Sequence, residues 1–501
     1  MPMDPRKAYD DLIRTVRNLH YITSVRSLMV WDQRTYMPKK AAKFRGRQYA
    51  AIAEYAHSVI TSREFVSLLE EAERGDFPPG SREAMNLYWL RRTYDRTVKV
   101  PVALRLDLIR KTTETEVVWR EAKEKDDPSL VLPGLGEIIR LKREMAEYLG
   151  YETEPYDALL DDYEPGLRAK RVEEVFSYIR SRTVDLLRKV MDARESGKVP
   201  KRIEGRFPVI DQRRFHIFML RKIGYDLEAG RLDETTHPFA VRITPGDVRI
   251  TTRYKEDDVL DGIFSTLHEM GHAFYNMGLP EEWFGEPVGN APSLAVHESQ
   301  SRFWENVVGR SREFWMGFYP FLQAFLPTLY DYSLEDFLFA ANDMKPSFIR
   351  IEADELTYNL HIILRFEIER DLINGKIEVK DLPDAWNSRF KEMFGIEPPT
   401  HREGFLQDIH WYSGSFGYFP TYTFGNVIAA QIRARIMEDM DLPSAVYDWD
   451  FASILSWLRE KIHSHGALYL PEDLVKKATG EDPNPMYLME YLQEKVDLFY
   501  S

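Results

Sequence analysis

Apolar residues recur at three- and four-residue steps along most of this chain, and this spacing constrains the fold more than any other feature. It is the period of an amphipathic α-helix, which buries one face and leaves its charged face in water. The first such stretch covers residues 9–57 and breaks near Met37 and Pro38. Four further stretches share the pattern and are rich in charged residues: 81–97, 137–149, 169–190 and 211–224. The sequence therefore predicts a mostly α-helical protein.

Residues at the ends of two stretches predict where helices begin and end. Gly150 follows the stretch 137–149, and glycine is favoured just after the last residue of a helix. Asp211 opens the stretch 211–224, and aspartate is a favoured N-cap. We therefore expect one helix to end before Gly150 and another to be capped by Asp211.

A different pattern occupies residues 237–253, where β-branched and polar residues alternate around Pro245 and Gly246. It predicts a short hairpin or a small sheet. Helical spacing resumes at about residue 257, with predicted loops around 280–292, 398–422 and 465–471. Neither an internal repeat nor a low-complexity linker divides the chain, so residues 1–501 are predicted to form one unit.

Composition narrows the classes of function. A formal net charge of −14 over 501 residues argues against nucleic acids and anionic membranes as main partners. The absence of cysteine removes disulfides, thiolate nucleophiles and cysteine-ligated metals. The N-terminal residues lack an apolar signal core, and no stretch approaches the roughly 18 apolar residues of a membrane span. We therefore expect a soluble cytoplasmic protein.

The chain contains few amide side chains, 11 Asn and 8 Gln, beside 30% charged residues, and this composition favours thermostability.

The segment HEMGH lies inside a predicted helix that covers residues 257–278. His268 and His272 are four residues apart, so both imidazoles project from one helical face and can bind one metal ion. Glu269 follows the first histidine and can act as general base on an attacking water. Acidic residues at the start of the segment and Gly278 at its end suit a helix. The sequence thus predicts a metal site of the HExxH type.

A catalytic metal of this type needs a third protein ligand. A metzincin would have glycine at position 275 and histidine at 278, but this chain has Tyr275 and Gly278. The next candidates lie in a second helical segment, SLAVHESQSRFWEN, which can return antiparallel to the first. There Glu298 is favoured over His297 because a carboxylate completes the His₂Glu set of catalytic zinc sites. Asn276, one turn beyond His272, is either a support for the ligands or an ordinary polar residue.

Together with HEMGH, several further segments resemble the carboxypeptidase Taq family of metallocarboxypeptidases. With HEMGH they make five segments in the family's order: 247–251 (DVRIT), 297–300 (HESQ), 349–354 (IRIEAD) and 404–411 (GFLQDIHW). The segment WDQRTYMP at residues 31–38 is compatible with the family as well. The resemblance implies a two-lobed, mostly α-helical fold with a deep cleft and a small β-sheet, similar to the neurolysin and angiotensin-converting-enzyme group. It also implies a homodimer.

By the same resemblance, His268, His272 and Glu298 bind one metal ion per subunit, and Glu269 is the catalytic carboxylate. Zinc is the natural ion for this set, although cobalt or another divalent ion can serve. The resemblance also places the motif-bearing core at about residues 237–425. The helices of about residues 1–80 are a hypothetical lid that narrows the cleft.

A tetrahedral oxyanion needs a donor besides the metal. His410 is one candidate, and Tyr418 and Tyr422 of the aromatic segment GYFPTYTFGN are others. His410 is favoured over Tyr422, since aromatic-rich loops are often packing. His361, amid apolar neighbours, is interpreted as part of the core or of the cleft wall.

Release of C-terminal residues requires a fixed cation for the α-carboxylate of the substrate, and a bidentate guanidinium is suited to that task. Arg350 of IRIEAD is favoured and Arg249 of DVRIT is the second candidate; Arg249 could instead only pair with Asp247. Asp354 is expected to form an ion pair or to support the site.

The sequence thus predicts a carboxypeptidase that removes single residues from peptides with a free C-terminus. Two alternatives stay open. A zinc oligopeptidase that cleaves internally or releases dipeptides shares HExxH and a distant glutamate. A non-catalytic helical scaffold would carry HEMGH only as a surface pattern.

Overall fold

A computed structural model describes residues 3–501, which form helices and one small sheet. None of the helices in this range is long and apolar enough to cross a membrane. In chain order the helices α1 to α20 are Pro5–Thr35, Ala42–Ile60, Arg63–Ala72, Arg82–Lys99, Val102–Lys125, Leu132–Leu149, Pro155–Leu160, Ala169–Glu195, Val209–Ile223, Val259–Gly278, Leu294–Arg302, Arg312–Phe325, Leu334–Ala341, Tyr358–Ile373, Leu382–Phe394, Pro420–Asp439, Leu442–Tyr447, Phe451–Lys461, Pro471–Thr479 and Pro485–Tyr500. The strands β1 to β3 are Leu232–Glu234, Ala240–Thr244 and Asp247–Thr252.

The predicted helical character is confirmed, and most predicted helix ends agree with the structure. Gly150 ends α6 with a positive φ of 81°, a conformation that costs glycine little. The predicted N-cap Asp211 is wrong, because α9 begins at Val209, directly after Pro208. Asp211 lies instead in the first turn, where a negative charge favours the helix N-terminus.

Two predicted loops extend too far at their C-terminal ends. Helices α16 and α19 begin at Pro420 and Pro471, inside the predicted loops 398–422 and 465–471. Proline is well tolerated in the first helical turn, since its missing N–H would be unpaired there anyway. As a result Tyr422 lies on a helix and not in an aromatic loop.

The predicted hairpin is present as the antiparallel pair β2 and β3, with an irregularity between Arg242 and Thr244. Strand β1 pairs parallel to β3 and was not predicted, because its three residues are too few to show an alternating pattern. The strand order is β1-β3-β2, so β2 is an edge strand of this sheet.

The buried apolar side chains form two separate clusters. The larger cluster extends from Val100 to Tyr500 and includes α10 and the sheet. The smaller cluster belongs to the N-terminal helices α1, α3 and α4: Ala8, Tyr9, Leu12, Ile13, Phe65, Leu68, Leu69, Ala72, Leu87 and Leu90. The N-terminal helices therefore have a core of their own.

Helices α10, α11 and α16 pack closely because glycines lie at their contacts. A Cβ atom on Gly271 of α10 would lie 2.5 Å from the carbonyl oxygen of Gln300 on α11. A Cβ atom on Gly425 of α16 would lie 2.6 Å from Cγ of Glu298. This packing brings the two helices that carry the predicted metal ligands side by side.

Candidate metal centre

His268 and His272 lie on the same face of α10, with ring centroids 4.8 Å apart. The helix is capped by Asp258, whose carboxylate accepts a hydrogen bond from the Asp261 N–H at 3.2 Å. The i,i+4 spacing in a regular helix therefore brings the two imidazoles together, as the sequence indicated.

Glu298 on α11 faces both imidazoles. Its Oε2 atom lies 3.6 Å from Nε2 of His268 and 3.3 Å from Nε2 of His272. One donor atom from each of these three residues falls within 4.8 Å of the other two. Around an ion with bonds of about 2.0–2.1 Å, tetrahedral donors are separated by about 3.3 Å. The three side chains could therefore hold one zinc-sized ion.

The competing candidate His297 lies beside this group. Its ring stacks on the His272 ring with a centroid distance of 4.5 Å. Its Nε2 atom lies 3.3 Å from Oδ1 of Asn276, so Asn276 contacts a residue that packs on a predicted ligand.

Two further contacts orient the imidazoles. Nδ1 of His268 lies 2.8 Å from Oε2 of Glu305, and Nδ1 of His272 lies 3.2 Å from the carbonyl oxygen of His297. With both Nδ1 atoms engaged, the Nε2 atoms face Glu298, an arrangement typical of metal-binding histidines. Glu305 was missed in the sequence, although it follows Glu298 by seven residues, the spacing of two helical turns. It lies in a π-helical segment, Phe303–Val308, that continues from α11.

The negative charge of the centre is partly balanced by Arg302. Its Nε atom donates to Glu298 at 2.8 Å and its Nη1 atom donates to Glu305 at 3.3 Å. Burial opposes ionisation of Glu298, but Arg302 and the two imidazoles outweigh it and hold its pKa well below the usual range. Glu298 is thus an anion, as a metal ligand must be.

Glu269 is buried beside this group, and its carboxylate accepts no hydrogen bond from any residue in the range 3–501. Burial raises its pKa above the ordinary value of 4.5, and the two neighbouring imidazoles act in the opposite direction. An unpaired carboxylate of raised basicity can accept a proton from water.

Arg350 belongs to a buried cluster in which two guanidinium groups share one carboxylate. Its Nη2 atom lies 2.7 Å from Oδ1 of Asp408, and Nε of Arg365 donates to Oδ2 of Asp408 at 2.7 Å. Burial opposes the ionisation of Asp408, but the two arginines dominate and hold its pKa far below the usual range. Two cations and one anion leave a net positive charge in this cluster.

Tyr358 connects this cluster to the metal ligands. Nη1 of Arg350 donates to the Tyr358 hydroxyl at 3.2 Å, and Cζ of Arg302 lies 4.8 Å from the Tyr358 ring centroid. Arg302 in turn donates to Glu298. The structure thereby brings Arg350, which is 6% exposed, close to the metal centre.

The oxyanion candidates lie around Arg350 and Tyr358, with the ring centroids of Tyr358 and Tyr422 6.1 Å apart. The Cζ atom of Arg350 lies 5.4 Å from the Tyr422 ring centroid, and the hydroxyls of Tyr422 and Tyr418 are 3.5 Å apart. The His410 ring packs on the Tyr418 ring with a centroid distance of 5.5 Å. Burial lowers the pKa of His410 to about 4 and raises the pKa values of both tyrosines. All three are neutral at neutral pH and can donate a hydrogen bond.

Three other residues named from the sequence have structural contacts. Arg249 binds Asp247 with two hydrogen bonds of 2.7 and 2.8 Å, and its Cζ atom lies 4.2 Å from the Trp31 ring centroid. Of the two roles expected for Asp354, the ion pair is absent among residues 3–501, since its carboxylate accepts the N–H groups of Lys345, Leu356 and Thr357; the supporting role stays a prediction. His361 is fully buried in the core, as expected.

A cavity of about 730 Å³ opens beside the metal centre. One wall is a face of α1, and another is the edge strand β2. Asn276 and His297 line it on the side of the metal ligands, and Tyr163, whose ring centroid is 5.2 Å from that of Tyr418, also lines it. The cavity is large enough to hold several atoms of a peptide chain.

A helical fold with two histidines and a glutamate from neighbouring helices, and a second glutamate beside the first histidine, defines a metallopeptidase of the HExxH class. The family model of the carboxypeptidase Taq (M32) metallopeptidases matches residues 11–496. The chain therefore belongs to this family of metallocarboxypeptidases, and the resemblance noted in the sequence is confirmed.

Curated relatives and solved structures agree with this assignment. Over 514 aligned residues the chain is 43% identical to thermostable carboxypeptidase 1 of Thermus thermophilus, with 100% of both chains covered. It is 39% identical to carboxypeptidase 1 of Bacillus subtilis, covering 99% of this chain and 98% of the relative. The solved structure of Pyrococcus furiosus carboxypeptidase superposes with a TM-score of 0.95 at 39% identity, covering 98% of this chain and 99% of that one.

Proposed function

We propose that this metallocarboxypeptidase removes single amino acids from the C-terminus of peptides, with Arg350 binding the free α-carboxylate. The observation that supports the proposal is the net positive cluster of Arg350, Arg365 and Asp408 next to the candidate metal ligands. A permanently charged guanidinium matches a carboxylate in geometry and charge. Arg249 is a second candidate, but its charge is balanced by Asp247 alone, whereas Arg350 shares its carboxylate partner Asp408 with Arg365.

We propose one zinc ion per chain, held by His268, His272 and Glu298, with cobalt or another divalent ion as an alternative. The donor atoms fit a small ion, and a His₂Glu set is typical of catalytic zinc. When bound, the ion polarises the scissile carbonyl and lowers the pKa of the attacking water.

Glu269 is the proposed general base. Its carboxylate takes a proton from the attacking water and returns it to the departing amine. Its freedom from other hydrogen bonds and its raised pKa support this role. His410 and Tyr422, or Tyr418 in place of Tyr422, would donate hydrogen bonds to the oxyanion of the tetrahedral intermediate. Their neutral forms have protons to donate.

The test is mass spectrometry of the products from one peptide, made with a free and with an amidated C-terminus. We expect stepwise loss of single residues from the free form only, because the amide removes the charge that Arg350 would bind. Glu269→Gln should retain the metal and lose activity. Internal fragments from both forms would identify an oligopeptidase instead, and no cleavage with zinc or cobalt supplied would favour a scaffold protein.

We further propose a two-lobed enzyme with a deep cleft, similar to the neurolysin and angiotensin-converting-enzyme group, that is thermostable and acts as a cytoplasmic homodimer. The two-lobed shape and the homodimer are proposed from the family resemblance. The thermostability and the cytoplasmic location are proposed from the composition. A molecular mass of twice that of one chain, measured by sedimentation equilibrium, would support the dimer. A molecular mass equal to that of one chain would contradict it.

A further inference from the structure

Arg242 lies on the edge strand β2 and lines the cavity beside the metal centre. Its Nη1 atom donates to the carbonyl oxygen of Gly289 at 3.0 Å. Its Cζ atom lies 5.2 Å from the ring centroid of Phe284, which lines the same cavity. The guanidinium group is thus held in place by one hydrogen bond and one aromatic face.

This guanidinium lacks an anionic partner. No carboxylate oxygen of residues 3–501 lies within 4.0 Å of it, and its buried Nε atom makes no hydrogen bond in that range. The acidic residue of the cavity wall, Asp162, is already bound by Nε of Arg96 at 2.8 Å. In the same sheet, Arg249 and Arg231 are paired with Asp247 and Asp233.

An unpaired cation in this position costs free energy, because a charge that is removed from water loses its hydration and has no opposite charge to compensate for it. Burial lowers the pKa of Arg242 to about 10, so the group is still charged at neutral pH. Strongly perturbed charged groups in a cavity are frequent at binding sites. The missing partner of Arg242 is therefore best supplied by an anionic ligand in the cavity.

The position of the cavity indicates which part of a substrate would enter it. Arg350, Asp408 and His410 do not line the cavity, whereas Asn276 and His297 do. A peptide with its α-carboxylate at Arg350 and its scissile carbonyl at the metal ligands would extend its preceding residues elsewhere. The cavity beside His297, bounded by an edge strand, offers them a path, since edge strands can pair with extended peptides.

We propose that Arg242 binds a carboxylate side chain of the peptide on the amino-terminal side of the scissile bond. The enzyme then prefers glutamate or aspartate at one upstream position. This inference rests on the proposed function, because it takes the C-terminal carboxylate to be bound at Arg350.

The test uses peptides of one length and one C-terminal residue, in which each upstream position in turn carries Glu or Gln. We expect Glu to lower KM roughly tenfold at one position, since hydrogen bonds to charged groups are stronger than those between neutral groups. In Arg242→Gln the ratio of KM values at that position should fall to about one. Arg242→Lys should keep part of the preference, because it retains the charge without the planar fork.

Arg182→Gln is the matched control, since Arg182 is an exposed arginine of α8 outside the cavity lining and its loss changes the net charge equally. The control should keep the preference for Glu. An equal loss of the preference for Glu in both variants would overturn the inference and indicate a long-range effect of charge. Release of C-terminal residues with no preference between Glu and Gln would also overturn it and leave the proposed function intact. No release from any peptide would overturn both.

Discussion

At the scale of single residues, Glu369 explains how the oxyanion candidates are held. Its fully buried carboxylate accepts hydrogen bonds from Nε1 of Trp411 at 2.7 Å and from the N–H of Gly417 at 3.0 Å. Trp411 directly follows His410, and Gly417 directly precedes Tyr418. A third bond comes from the Tyr156 hydroxyl at 2.8 Å. One side chain thus fixes both ends of the segment that carries His410 and Tyr418.

Glu369→Gln should lower kcat about tenfold or more while KM and bound metal change little. Glutamine keeps one acceptor oxygen, so one of the three donors loses its partner and the segment shifts. Small displacements of catalytic groups have large effects on rate. Steady-state kinetics and metal analysis would measure this. Asp343→Asn is the control: its carboxylate accepts from the Tyr500 hydroxyl at 2.8 Å and pairs with Arg194, and no hydrogen bond joins it to residues 410–418. A similar loss of kcat in both variants would contradict a positioning role for Glu369.

At the scale of elements, the metal ligands depend on the close packing of α11 against α10 and α16. The contact between α16 and α11 is at Gly425, whose missing side chain leaves room for Glu298. Because α11 is only nine residues long, its position is determined by its neighbours more than by its own stability.

Gly425→Ala should weaken metal binding and lower Tm. The added methyl group would lie 2.6 Å from Cγ of Glu298, so the third ligand must move. Overpacking a core costs about 1–3 kcal/mol, and disturbed ligand geometry costs roughly 10–100-fold in metal affinity. Thermal unfolding and competition with a chelator would measure both.

Gly136→Ala is the matched control for this substitution. Gly136 lies inside α6, and the nearest atom to its added Cβ would be 3.9 Å away. Alanine favours helix, so Tm should stay equal or rise slightly. Unchanged metal affinity in Gly425→Ala would contradict the proposed dependence of Glu298 on this contact.

At the scale of the whole molecule, the N-terminal helices have their own core and are tied to the rest near the cavity. Glu286 is 2% exposed and accepts hydrogen bonds from Arg17 of α1 and from Arg82 and Asn86 of α4. A face of α1 lines the cavity, and α2 contains no buried residue. These features support the hypothesis that residues 1–80 form a lid.

A peptide inhibitor should slow proteolysis within α2. Binding between α1 and β2 would hold the N-terminal helices against the body and reduce local opening, on which cleavage depends. Mass spectrometry of fragments over time, with and without inhibitor, would measure the rate. Cleavage sites outside residues 1–80 serve as the internal reference. An equal rate within α2 in both samples would count against the lid.

Sequence alone determined the features that depend on near neighbours. The 3.6-residue period predicts the helices, and the i,i+4 spacing of His268 and His272 predicts a shared face, because helix geometry repeats over a few residues. The motifs also identify the family. The sequence did not predict the first residues of α16 and α19, which begin at proline, or the short strand β1, since the sequence signals for these features are local and weak.

Only the tertiary structure decided which distant groups meet. Glu305 reaches His268 through a π-helical segment, and Asp408 lies 58 residues from Arg350 along the chain. That Arg242 has no carboxylate partner within residues 3–501 is equally invisible in the sequence, because it depends on every element that surrounds the cavity. Contacts between distant residues and the burial of charge depend on how the elements pack against one another. No periodicity within a single element encodes them.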